Sequence, residues 1–284
     1  MINDLLKRAI TAMNNAGFEV VGSSHKRPWA ENKPLKLKVI PVDMVHGELS
    51  YEQPEVFIDA GMRREPGEAY SLQRLLGASD WRHALSLTQE VIRAGKTAAL
   101  NVGDFVRVKF DVPAASYDGL KFPALHVDGK VKIIEMENDN VIFNFDDIIF
   151  QSAINANDTN EGGFSASALA KYLNNEFLDA MGISDMLLAN HDGLEISLPT
   201  ALELFGDKEY WPAESNYFEK PHQIEFFKDE KNRVKSFEKE TDWYWTASAR
   251  ASSAADFCHC DHNGLSNSYY ASAVGGVAPA FCVA

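Results

Sequence analysis

The sequence predicts an α+β protein in two parts: a small α+β domain over residues 1–98 and a larger domain over residues 99–284. "DFVRVKFDV" alternates Val106, Val108 and Phe110 with Arg107 and Lys109, the period of a half-buried strand. "FSASALAKYLNNEFLDAMG" instead puts Leu169, Tyr172, Leu173 and Phe177 on one helical stripe. The change from mixed to strand-rich character falls near residue 98, and 284 residues are enough for two cores.

Element by element, Asn3 is the expected cap of a first helix carrying Leu6, Ile10 and Met13, with Gly17 as its stop. "FEVVG", "LKLKVIPVDMVH" and "PEVFIDAG" are expected strands, the second with Leu35, Leu37 and Val39 on one face. Residues 70–94 predict two helices broken near Gly77, with Ser79 or Asp80 capping the second. After the 104–112 strand, "VKIIEME" and "NVIFNFDDIIF" are strands separated by the turn residues "NDN". The polar loop "NANDTNEGG" leads to the 164–182 helix, which Ser165 or Ser167 caps and Gly182 ends. "LEISLPTALELFG" predicts strand, turn and helix. The charged run "FEKPHQIEFFKDEKNRVKSFEKETD" is expected to be a solvated excursion.

A formal charge of −14 argues against nucleic-acid backbones and anionic lipid as partners. The start of the chain lacks the apolar run of a signal peptide, and no stretch has the length of a membrane span, so a chain made in the cytoplasm without membrane insertion is expected. The three cysteines all fall near the end and do not form a disulfide framework.

The unusual stretch is 247–273, "ASARASSAADFCHCDHNGLSNSYYASA". Lys, Glu, Gln, Met and Trp make up more than a fifth of residues 1–245 and are absent from residues 246–284. Strand structure disfavours Lys and Glu but does not remove all five. As a metal site, Cys258, Cys260 and His262 would share one face of a strand, with Cys282 as a fourth ligand. The i, i+2 spacing is wrong for a tight Cys pair, and no metal is expected. A bridge from Cys282 to one of the other two cysteines is the disulfide alternative. As an active site, Asp256, His259, Asp261 and His262 are acids and bases, but they are crowded into seven residues with no nucleophile or phosphate motif. No enzyme and no cofactor are expected. Asn155, Asn157, Asp158 and Glu161 offer calcium ligands at a spacing that misses the EF-hand loop.

The "GDFVRVKF" strand, the "FSASALAKYLNNEF" helix, "ISLPTALELFG" and the closing "WYWTAS…NG…A…GGVAPAFCV" together resemble one family. It is the variable proteins of diversity-generating retroelements, which use a C-type lectin fold of the formylglycine-generating type. The resemblance covers roughly residues 100–284, with Trp245, Ser248, Gly264, Ala271, Gly276, Val277, Pro279 and Phe281 at the family's spacing. Ala170 and Ala278 depart from it, where Arg is usual. The resemblance implies that template adenines are mutated, so that Asn codons change to many residues but never to Lys, Glu, Gln, Met or Trp.

It also implies a binding face about residues 247–273 over a fixed frame of Trp243, Trp245, Gly264, Val277, Pro279 and Phe281. The face would comprise Arg250, Ser252, Ser253, Asp256, Cys258, Cys260, Asp261, His262, Asn263, Ser266, Asn267, Ser268, Tyr269, Tyr270 and Ser272. Tyr, Ser, Gly and Asn are paratope residues, and Tyr269, Tyr270 and Arg250 are the expected anchors. The implied role is a phage virion component recognising a protein or glycan on a host cell, as a homo-oligomer such as a trimer or with other virion proteins, and with residues 1–98 for attachment. A non-variable structural protein of the same fold is the alternative. An enzyme of formylglycine-generating type, using paired Cys258 and Cys260, comes third.

Overall fold

A computed structural model describes the backbone of residues 43–45 and 48–50, then residues 69–284 apart from 138–139, 207–211 and 213. The chain divides into two compact units, 1–66 and 67–284. In the first, strands Asp43–Val45 and Glu48–Ser50 pair antiparallel. The expected first helix, the strands "FEVVG" and "PEVFIDAG" and the Leu35–Val39 alternation lie outside the described residues.

The boundary at residue 66 corrects the expected one at 98. Residues 70–94 do form two helices, α1 (Leu72–Leu75) and α2 (Trp81–Arg93), and Asp80 caps α2 by accepting from His83 N. They belong to the larger unit. Arg82 donates to the carbonyls of Met181 (2.7 Å) and Ala180 (3.0 Å), and Gln89 donates to that of Ala284 at 2.7 Å. A stripe of apolar residues shows that a helix packs, not what it packs against.

The larger unit is α+β, built on two sheets. The first sheet runs in the order β6 (Ile196–Ser197), β11 (Ala280–Val283), β3 (Asn140–Phe145), β2 (Leu125–Glu137), β1 (Phe105–Val112), with β5 (Leu187–Leu188) also paired to β11. The second runs β9 (Ser266–Tyr270), β8 (Asp256–Cys260), β7 (Tyr244–Ala249), β10 (Gly275–Val277), β4 (Phe150–Ser152). Only the β7–β10 pair in this second sheet is parallel.

Ser167 caps α3 (Ala168–Tyr172) by accepting from Ala170 N. A single π turn (Leu173–Phe177) continues into α4 (Leu178–Met181), and Gly182 closes it in the left-handed region at φ 63°. The predicted stripe of Leu169, Tyr172, Leu173 and Phe177 is buried throughout. Phe177 meets Phe110 and Phe145 edge-on, which ties this helix to the first sheet. Thr200 and Glu203 form a reciprocal capping box at the start of α5 (Ala201–Phe205).

The chain crosses between the sheets at residues 145–150 and 277–280. Asn144 joins the two crossings, donating to the carbonyls of Ala278 and Pro279, each at 2.9 Å. Lys235 donates in turn to Asn144 Oδ1 (2.8 Å), Phe145 O and Asp146 O. The charged run 218–242 is therefore more than a solvated excursion: Ile224, Phe227, Arg233 and Lys235 are buried parts of it.

Candidate functional site

The 247–273 segment folds as the end of β7, a turn, β8, a second turn, β9 and a third turn. β8 is an inner strand, while β9 is the free edge of the second sheet. The pairing sets Asp256 opposite Tyr270, Phe257 opposite Tyr269, Cys258 opposite Ser268, His259 opposite Asn267 and Cys260 opposite Ser266. At the connecting turn Asp261 Oδ1 accepts from Asn263 N (2.8 Å) and Leu265 N (2.9 Å). Gly264 sits there at φ 84°, and a Cβ on it would lie 2.9 Å from Glu230 O, so both conformation and space require glycine.

The expected face divides in three. Ser252, His262, Asn263, Ser266, Asn267, Tyr269, Tyr270 and Ser272 are exposed. Arg250, Ser253, Asp256, Asp261 and Ser268 are half-buried. Cys258 and Cys260 are fully buried, which corrects their place on the face. Alternation predicts which side of β8 they take but not that both sides are covered. Cys258 packs on Ala201 and Phe205, and the Cys260 thiol faces the Arg233 carbonyl at 3.6 Å. The frame residues Trp245, Gly264, Val277, Pro279 and Phe281 are all buried as expected, and Trp243 is half-buried.

On the other side of β8, His259 is 6% exposed and lies among aromatic rings. Its ring centroid is 4.7 Å from Trp243, 6.2 Å from Trp245 and 6.4 Å from Tyr269. Trp243 continues outward to Tyr269 at 5.9 Å, and Tyr269 meets Tyr270 at 5.7 Å. A ladder of rings thus runs from the interior to two tyrosines that are 52% and 56% exposed. Of the six large apolar side chains exposed among the described residues, Leu265, Tyr269 and Tyr270 fall within this segment and Val274 directly follows it. Arg250 reaches across to Ser268 Oγ at 2.9 Å, and its nearer guanidinium nitrogen lies 3.7 Å from Asp256 Oδ2. Arg250 Nε and Asp256 Oδ1 are buried without a hydrogen-bond partner. The register turns the main-chain groups of Ser266, Ser268 and Tyr270 away from β8. There Ser268 N donates to Asn267 Oδ1 (2.8 Å), and Tyr270 O accepts from Ala273 N (2.9 Å).

Burial holds the His259 imidazole at about pKa 4, against a smaller upward pull from Asp261, and its Nδ1 has no hydrogen-bond partner. The folded pKa lies below the unfolded value of about 6.5, so protons favour the unfolded chain. Stability linked to His259 is complete above pH 6.5 and is lost as pH falls toward 4, by roughly 3 kcal/mol. Urea titrations at pH 7.0, 5.5 and 4.5 are expected to show this slope, and His259→Gln is expected to flatten it.

The chemical alternatives fare differently. The three cysteines are not disulfide-bonded. Burial pushes the thiol of Cys260 up to about 11 and that of Cys282 up to about 12. A thiol-specific reagent at pH 8 is therefore expected to modify none of the three in the native protein and all three in urea. Among the described residues no three His, Cys, Asp or Glu side chains gather as metal ligands. Of the four candidate acids and bases, His259 is buried, His262 points to solvent and Asp261 is bound into its own turn. In the calcium candidate, Asn155 donates to Thr159 O (2.8 Å) and accepts from Ala168 N (3.0 Å), and Asp158 accepts from Ser272. These oxygens serve loop structure.

The chain matches no protein-family model, no curated protein and no solved structure. No helix among the described residues is long and apolar enough to cross a membrane.

Two residues outside the segment went unnoticed in the sequence. Asn160 and Arg233 both donate to main-chain carbonyls within it. Nothing local distinguishes them from other loop Asn or surface Arg residues, because their partners lie 31 to 96 positions away.

Proposed function

We propose that the larger unit is a C-type lectin-like binding domain whose β8–β9 edge recognises a molecule on a host cell surface, and that a retroelement diversifies this edge. The protein would serve as a phage virion component and not as an enzyme. One observation carries the reading. Within 247–273 the side chains divide into a buried set that fixes the sheet and an exposed set that the sheet does not use. Phe257, Cys258 and Ala271 belong to the first set, and Ser252, Ser266, Tyr269 and Tyr270 to the second. Exchanging an exposed side chain costs little, typically under about 0.5 kcal/mol, whereas truncating a buried one costs several. The exposed pair of tyrosines amid Ser and Asn has the composition of a paratope: large rings with few rotors, flanked by adaptable hydrogen-bonding groups.

The coding locus tests the proposal. A reverse transcriptase gene and a near-repeat of the 3′ region, differing at template adenines, are expected close by. Among isolates, substitutions should concentrate at the exposed positions and spare Cys258 and Cys260. A locus with neither element, in isolates that do not vary at 247–273, would instead establish the non-variable structural alternative.

A further inference from the structure

The loop 155–163 grips the two outer turns of the binding segment. Asn160 Nδ2 donates to three carbonyls of the turn between β7 and β8: Ser253 O at 2.7 Å, Asp256 O at 3.0 Å and Arg250 O at 3.3 Å. The Asn160 N–H donates to a fourth, Ala254 O, at 3.0 Å. The turn after β9 is held in a similar way. Ile154 N and Asn155 N both donate to Ala271 O (2.9 and 3.0 Å), and Asp158 Oδ1 accepts from Ser272 N (3.3 Å) and from the Ser272 hydroxyl. The loop is itself anchored to the first residue of α3 through Asn155 Oδ1 and Ala168 N.

Apart from the Ser272 hydroxyl, every one of these contacts ends on a main-chain atom of the segment. Each residue type supplies a carbonyl, and all but proline supply an N–H. A grip of this kind does not depend on which side chains the turn carries. We infer that the 155–163 loop is a clamp indifferent to the side chains it presents, with Asn160 as the positioning residue for the 250–256 turn. The clamp takes its purpose from the binding reading, but its geometry stands without it.

Limited trypsin digestion tests the clamp without any ligand. Arg250 is the last Lys or Arg of the chain and follows Lys239, so the peptide beginning at Ala251 reports cleavage at this turn alone. Asn160→Ala is expected to speed cleavage after Arg250 by about tenfold or more, the equivalent of about 1.4 kcal/mol of local opening. Hydrogen exchange in β1 and β2 should stay unchanged, which a general loss of stability would not allow. In the second arm Asn160 is kept and the turn receives Ser252→Tyr with Ser253→Asn, and cleavage should stay within about twofold of the starting protein. An unchanged rate in Asn160→Ala overturns the role of Asn160. A tenfold rise in the second arm overturns the indifference to side chains.

If Asn160→Ala does not fold, hydrogen exchange in the unaltered protein decides. Asn160 N, which donates to Ala254 O at 3.0 Å, should exchange far more slowly than an open-turn amide such as that of Ser252. Equal rates would remove the clamp. None of these results depends on whether the locus carries a retroelement, so the two proposals stand or fall separately.

Discussion

Glu203→Ala is expected to destabilise the larger unit by about 4 kcal/mol, lowering its melting temperature by about 10 °C. The carboxylate is buried, and four donors converge on it. Ser215 Oγ (2.6 Å) and Asn216 N (2.8 Å) reach Oε1, while Thr200 N (2.8 Å) and Asn216 Nδ2 (3.0 Å) reach Oε2. Removing it strands all four where water is largely excluded, and each buried orphan donor costs about 1–3 kcal/mol. Part of that is recovered as the 214–216 strand of chain relaxes, which keeps the total below the sum. Glu203→Gln keeps the volume but turns one acceptor into a donor facing other donors, and should lose about half as much. Chemical denaturation of the three proteins checks the series, and a loss below about 1 kcal/mol for Glu203→Ala would contradict it.

Gly275→Ala is expected to cost about 3 kcal/mol and to move the ring ladder under the proposed binding face. A Cβ at Gly275 would lie 2.3 and 2.4 Å from two ring carbons of Trp243 and 2.9 Å from Trp245 Nε1. The second of these rings cannot retreat freely, because Trp245 Nε1 donates to Ser152 O at 3.0 Å. Trp243 must therefore shift outward, and it carries Tyr269. Tryptophan emission should move to longer wavelength together with the stability loss. Unchanged emission and an unchanged midpoint would mean that the glycine is not what seats Trp243.

Local features of this fold were legible in the sequence because their causes are local. Ser167 and Asp80 cap helices, Gly182 ends one, and the Leu169–Phe177 stripe faces the core; each follows from neighbours within a few positions. The exposed tyrosines of β9 were legible as well, through the composition around them. What escaped depends on distant partners. Cys258 and Cys260 are buried because α5 and the 227–233 stretch cover the second side of β8, which alternation alone does not report. Lys235 looks like one more charge in a charged run until Asn144 Oδ1 and the carbonyls of Phe145 and Asp146 meet its three protons. Helices α1 and α2 read as part of the first unit for the same reason: Gln89 finds its acceptor at the far end of the chain.

The outermost strand of the second sheet is stoppered. With Ser268 N occupied by Asn267 and Tyr270 O by Ala273, a foreign strand arriving at this border finds two of its docking points already taken. Edge-to-edge pairing of two copies is disfavoured at these two positions. The side chain at position 267 is thus one of the two plugs of this border.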